Sequence, residues 1–181
     1  FEDRNGDGVI GAGDRFNAAN SFPTFTYSLN MNAEYKGFDF SMHWIGSQGN
    51  EIFNGLTLGK KLMVGTDYNN GTDILDRWTL TNKDTDIPRV SVKDRNNNAA
   101  YSTLYIEDGS FLRLKYLTMG YTFDKSLFNS RLSKLRVYVT AQNLLTLTKY
   151  TGFDPEVGSY GSFSNNMYGI DYGIYPQAKS F

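Results

Sequence analysis

The sequence predicts an all-β chain, part of an antiparallel transmembrane β-barrel. Three observations carry that reading. Long segments alternate apolar and polar residues with period two, and the connections between them are short and long in turn. Glycine (18 of 181 residues) and aromatic residues (15%) are abundant, while mean hydropathy is only −0.45. A barrel escapes hydropathy scans in this way, because lumen-facing residues dilute the apolar ones.

The first long element is "FTYSLNMNAEY", 25–35. Phe25, Tyr27, Leu29, Met31, Ala33 and Tyr35 share one face; Thr26, Ser28, Asn30, Asn32 and Glu34 share the other. Lys36-Gly37 predicts a tight turn, and "FDFSMHWIG" (38–46) alternates again, so 25–49 reads as a hairpin. The pattern then dissolves over 50–108, too long for an ordinary connection. It returns in 110–123, where Leu117, Met119, Tyr121 and Phe123 alternate with Thr118, Gly120 and Thr122; the phase is unclear from Arg113 to Tyr116. A shorter link, 124–133, leads to 134–148, with Leu135, Val137, Val139 and Ala141 opposite Arg136, Tyr138, Thr140 and Gln142, so 110–148 is a second hairpin. A second irregular stretch, 149–175, precedes 176–181, which reads as the start of a further strand.

Four strands and a stub cannot close, since the smallest barrels need about eight strands, and open edges are not tolerated in hydrocarbon. Most of such a barrel is therefore expected upstream of this chain. A soluble β-sandwich also alternates, and the pattern alone leaves it open. The net charge of −1 gives no reason to expect a nucleic-acid partner. The absence of cysteine excludes a disulfide framework and thiolate metal sites. Phe1 is not an initiator residue, so a piece of a longer or processed chain is expected.

The front of the chain, "DRNGDGVIGAGDRF", carries a calcium-type frame. Oxygen donors fall at Asp3, Asn5, Asp7, the carbonyl of Val9, Gly11 through backbone or water, and Asp14, with Gly8 at the turning position. Ca²⁺ takes six to eight oxygens, and this set approaches that number. Asp14 has a shorter arm than the usual Glu. The competing reading is an Asx-rich turn without an ion; the offsets of Gly8, Val9 and Ile10 favour the ion, in a structural role.

Nothing points to catalysis. His43, the single histidine, lies on the polar face of its strand and reads as a lumenal hydrogen-bonding residue. Asp154, Glu156 and Asp171 are scattered loop carboxylates, for which surface solvation is expected over an acid–base pair. Strand-end aromatics such as Trp44 suit an interfacial girdle, whereas Trp78, in a long loop, stays open as a sugar-stacking group.

The blocks "EYKGFDFSMHWIGSQGNEIFN", "DRWT", "TDIPRV", "EDGSFLRLKYLTMGYTF" and "LRVYVTAQNLLTLTKYTGFDPEVG" together resemble the C-terminal part of the SusC/RagA family of TonB-dependent outer-membrane transporters. The acidic opening is similar to a loop such proteins carry just before this region, and the resemblance runs from Asp3 to Phe181. Two departures stand out: Leu80 replaces the usual Pro, and the family continues through one more strand ending in an aromatic residue. The resemblance implies a C-terminal fragment of about five strands from a barrel of about 22. It also implies the outer membrane of a Gram-negative bacterium, with 1–20, 50–108 and 149–175 as extracellular loops. The implied function is import of glycans or oligopeptides, powered by TonB. The implied partner is a SusD-like surface lipoprotein, which docks on loops 50–108 and 149–175, the aromatic "YTGFDPEVGSYGSF" above all. Leu29, Met31, Leu117, Met119, Val137 and Val139 are then expected to face outer-membrane lipid, and Ser28, Asn30, Thr118 and Tyr138 the lumen. The alternative is a secreted, calcium-stabilised β domain binding carbohydrate.

Overall fold

The computed structural model describes residues 2–61, 69–94, 97–128, 132–158 and 168–181. The chain divides into two compact units: one of 23–50, 108–156 and 175–181, the other of 1–22, 51–107 and 157–174.

The first unit is a four-stranded antiparallel sheet, ordered β1-β2-β5-β6, from Phe25–Tyr35 (β1), Phe38–Gln48 (β2), Phe111–Phe123 (β5) and Leu135–Thr148 (β6). Each lies where the alternation predicts a strand. At the β1–β2 turn, Lys36 and Gly37 both have positive φ (45° and 88°), the geometry of a two-residue hairpin loop. A Cβ on Gly37 would stand 2.7 Å from the carbonyl oxygen of Thr122, so the strand beside the turn also demands glycine.

Directly paired residues lie on the same face of a sheet, and the register aligns the apolar residues of all four strands in rows: Tyr35–Phe38–Tyr121–Val137, Ala33–Phe40–Met119–Val139, Met31–Met42–Leu117–Ala141 and Leu29–Trp44–Leu114–Leu145. The opposite face carries Glu34–Asp39–Gly120–Tyr138, Asn32–Ser41–Thr118–Thr140, Asn30–His43–Tyr116–Gln142 and Ser28–Ile45–Arg113–Thr146. Apolar residues dominate one face and polar residues the other, with Ile45 and Phe111 on the polar side.

Keeping them apart requires a correction in mid-strand. The register of β5 shifts between Leu114 and Tyr116, against both neighbours, so Lys115 is the extra residue of a bulge relative to β2. That bulge is the reason the alternation loses its phase there. In β6 the matching irregularity falls at Asn143 and Leu144, and Asn143 has positive φ (50°).

Among the described residues most of the apolar face is exposed, Leu114 and Ala141 excepted. Val139 is 67% exposed and Met119 57%, with Leu29, Met31, Phe38, Val137 and Leu147 exposed as well. At one end of the sheet Thr26, Ser47, Phe111 and Thr148 stand side by side, and the long connections leave from there. The other end holds the Lys36-Gly37 turn and the 124–134 link, with a short 3₁₀ turn at Lys125–Phe128. Ser180 forms an isolated antiparallel bridge to Gln142 on the outer edge of β6.

The second unit gives 50–108 more structure than its sequence suggests. Glu51–Asn54 (β3) pairs in parallel with Ile170–Asp171 (β7), and Ile106–Asp108 (β4) flanks β3 on the other side. A seven-residue helix, Gly55–Lys61 (α1), follows β3, with the Asn54 side-chain oxygen accepting the N–H of Thr57. Its core is Ile52 and Tyr105, with the Phe53 ring edge-on to Tyr101, Tyr105 and Tyr172. Strands of two to four residues are too short to show a periodicity, which is why the sequence does not reveal this small sheet.

Candidate functional site

The polar face of the sheet carries the charged and hydrogen-bonding groups, and it is built by register. Asp39 on β2 and Arg136 on β6 reach across the intervening β5 to form two parallel bonds, Nε to Oδ1 at 2.9 Å and Nη2 to Oδ2 at 2.6 Å. Gly120 lies beneath them. A Cβ there would stand 2.6 Å from Asp39 Oδ1 and 2.7 Å from Arg136 Nη2, so a side chain at this position would displace the bridge from its present geometry. The Arg136 guanidinium also lies 4.7 Å over the Tyr138 ring. One row further, Thr118 and Thr140 share a hydrogen bond of 3.1 Å. His43 Nδ1 lies 2.6 Å from Asn30 Oδ1, and its ring stacks on Tyr116. The single histidine is thus on the polar face, hydrogen-bonded to a neighbouring strand.

Nearer the loop end the same face holds a buried ionic hub. Arg113 is only 2% exposed. Its Nε donates to Thr146 Oγ1 (2.9 Å), its Nη2 to Asp154 Oδ1 (2.6 Å), and its Nη1 to Glu156 Oε2. The β5 bulge sets Lys115 close by, and its Nζ donates to the same Glu156 oxygen at 2.9 Å. Asp154 also accepts the backbone N–H groups of Glu156 (2.9 Å) and Gln177 (2.8 Å). Burial pushes the Asp154 carboxyl up, but the Arg113 bond and then the two backbone donors outweigh it, leaving its pKa below the ordinary 3.8.

The structure corrects the expectation that Asp154, Glu156 and Asp171 are all surface-solvated. Asp154 is 5% exposed and Asp171 not at all. Burial is possible because each carboxylate is supplied with donors: Asp154 by Arg113 and two amides, Asp171 by the N–H groups of Gly173 (2.7 Å) and Ile174 (2.9 Å). Glu156 is partly exposed but shared between two cations. The signal available in the sequence was Arg113 itself, a charge in the stretch where alternation falters.

The acidic loop is ordered by its own carboxylates. Asp3 accepts the N–H groups of Gly6 and Gly8 (both 2.8 Å), and Asp7 accepts from Val9 (2.8 Å) and from the Asn5 amide (2.9 Å). Buried Asp14 takes the N–H groups of Arg4 (2.8 Å), Asn5 (3.3 Å) and Gly11 (2.7 Å). Those of Gly11 and Arg4 chiefly hold its pKa below the ordinary carboxylate value, against the opposing effect of burial. The donors suit a hard cation in kind. Among the described residues, however, no three His, Cys, Asp or Glu side chains gather as a metal site.

Trp44 lies on the apolar face, its Nε1–H 3.2 Å from Met42 Sδ. Trp78, in the second unit, lines an open cavity of about 430 Å³ with Asp86, Ile87, Pro88 and Arg89.

No family model matches the chain. Curated relatives do, along its whole length. It is 38% identical over 186 residues to the TonB-dependent receptor P3 of Formosa agariphila, a match covering 100% of this chain and 18% of that protein. It is 30% identical over 184 residues to the TonB-dependent receptor SusC of Bacteroides thetaiotaomicron, again over 100% of this chain and 17% of the relative. Among solved structures, the RagAB peptide importer in its closed-closed state superposes with a TM-score of 0.73 at 27% identity, covering 96% of this chain and 19% of that one. A second structure of the RagAB peptide transporter gives 0.67 at 30% identity over 83% and 16%. The chain belongs to the SusC/RagA-like TonB-dependent receptors. It spans less than a fifth of the curated relatives it matches. The relatives it matches are TonB-dependent receptors rather than enzymes.

Proposed function

We propose that this chain forms a sector of an outer-membrane importer, with its apolar face on lipid, its polar face on the lumen and its long connections outside the cell. The observation that carries the reading is the registered apolar face, which stays exposed across four strands. A contiguous apolar surface of this size is a liability in water and an asset in hydrocarbon. Aromatic side chains sit near both ends of that face, Phe25, Tyr27 and Trp44 towards the loops and Tyr35, Phe38, Tyr121 and Phe123 towards the turns, as a girdle at each interface requires. No helix among the described residues is long and apolar enough to cross a membrane.

Import of glycans or oligopeptides, energised through TonB and assisted by a SusD-like surface lipoprotein, is the activity we propose; its support is family membership, since the relatives include SusC and the RagAB peptide importer. The docking surface is assigned to loops 50–108 and 149–175. The last five residues of "YTGFDPEVGSYGSF" (159–163) lie outside the described residues. Calcium in the acidic loop, held by Asp3, Asn5, Asp7, the Val9 carbonyl and Asp14, is proposed on donor chemistry alone; it would neutralise three carboxylates confined to twelve residues. The test is uptake by cells expressing the full-length transporter, with and without TonB, together with co-purification of the lipoprotein. Uptake that survives loss of TonB would reject the energised importer, and failure of any lipoprotein to co-purify would reject the partner.

A further inference from the structure

The ionic hub joins pieces of chain that the sequence keeps apart. Arg113 belongs to β5, Thr146 to β6, Asp154 and Glu156 to the segment after β6, and Gln177 to the returning C-terminal segment. We propose that Arg113, through Asp154, is a positioning residue that folds residues 150–156 back over the polar face and clamps both limbs of that connection there, so that this stretch, unlike the remainder of the 149–175 loop assigned to the docking surface, stands inside the passage. The lumenal placement rests on the reading of the polar face given above; the clamp does not.

The register decides the direction. Arg113 occupies the row Ser28–Ile45–Arg113–Thr146, so whatever it binds lies over the polar face. Its donors are divided with purpose: Nε is spent on Thr146, and the two remaining nitrogens go to Asp154 and Glu156. Lys115 adds a second cation on Glu156, so two positive charges meet two negative ones and the hub adds no net charge to the passage. Asp154 then acts at both limbs. One oxygen accepts the Glu156 N–H on the outgoing chain, and the other accepts the Gln177 N–H on the returning chain. From Gln177 the segment continues to Ala178, whose carbonyl accepts from Asn143, and to the Ser180–Gln142 bridge. A buried ion pair is weak evidence for stability, because apolar residues of similar volume often do as well. Geometry is what it supplies: a bidentate fork and a carboxylate with four acceptor sites fix three segments in one arrangement.

The experiment uses the full-length transporter in nanodiscs and follows hydrogen exchange in peptides covering 150–158 and 175–181. Asp154→Asn should accelerate exchange in both by about tenfold or more, the loss expected when hydrogen bonds to a charged acceptor are removed, while 25–48 and 135–148 stay protected. Glu156→Gln should loosen 150–158 alone. If folded Asp154→Asn loosens only one segment or neither, the clamp is refuted, whether or not the protein imports anything. The lumenal placement is read separately, with a single cysteine at exposed Phe153 in an otherwise cysteine-free transporter on intact cells. A small maleimide should react with it readily. A polyethylene-glycol-coupled maleimide should react slowly in the parent and faster in Asp154→Asn. Equal rates for both reagents in the parent would overturn the lumenal placement while leaving the clamp standing.

Discussion

Arginine placed on the apolar face should cost most at mid-strand and little at the rim. β5 has 13 residues, Phe111–Phe123, with Leu117 at its centre. At ~3.3 Å per residue and a tilt near ~45°, it spans roughly 30 Å along the membrane normal, slightly more than the ~25 Å apolar band of such barrels. Met119 lies two residues past the centre, which is only ~5 Å in depth by the same rise and tilt. Met119→Arg should therefore destabilise by about 2–4 kcal/mol. Leu135, paired with Phe123 at the end of β5, lies roughly 14 Å from the midplane, and Leu135→Arg should cost about 0–1 kcal/mol. Ser41 is the control: exposed, on the polar face, and one row from Met119 in depth. Ser41→Arg should be close to neutral if the lumen is wet. The assay is reversible folding of the full-length protein into lipid vesicles, scored by band mobility on unheated gels and by tryptophan fluorescence. Met119→Arg and Ser41→Arg with equal penalties would refute the assignment of faces, and a flat profile from Met119 to Leu135 would refute the depth argument.

Three further outcomes are expected. Replacing Gly120 by valine should break the Asp39–Arg136 bridge, because a side chain there occupies the space of both partners; Asp39→Asn in the Gly120→Val background should then add little, and a full additional loss would show that the bridge had survived. Since the folded-state pKa of Asp154 is depressed, its contribution is complete above the ordinary value of 3.8 and is lost as pH falls through the lower folded one. Exchange in 175–181, taken relative to the intrinsic rate at each pH, should accordingly rise below that pH in the parent but not in Asp154→Asn, and a parent with no acid-dependent rise would count against it. Calcium should protect residues 2–20 of the intact transporter from proteolysis, and chelator or Asp7→Ala should remove that protection; an unchanged cleavage pattern would dismiss the ion and leave the hydrogen-bonded loop as it stands.

The sequence by itself determined the four long strands, their two faces and the tight turn at Lys36-Gly37. Each is a local consequence of side-chain alternation or of a backbone angle, and alternation over eleven or more residues leaves little else for the chain to be. The blocks around those strands also carried the family resemblance. Tertiary structure decided what depends on contacts distant in sequence. Whether the faltering alternation near Arg113 was a strand end or a bulge was settled only by pairing β5 with β2 and β6 at once. Asp154 read as a solvated loop carboxylate because its partner lies 41 residues away, and a local window cannot price a burial that a distant guanidinium compensates. The parallel pairing of Phe53 with Ile170 was hidden for the same reason: strands this short carry no period, and only the packing of Ile52, Phe53 and Tyr105 gives them cause to form.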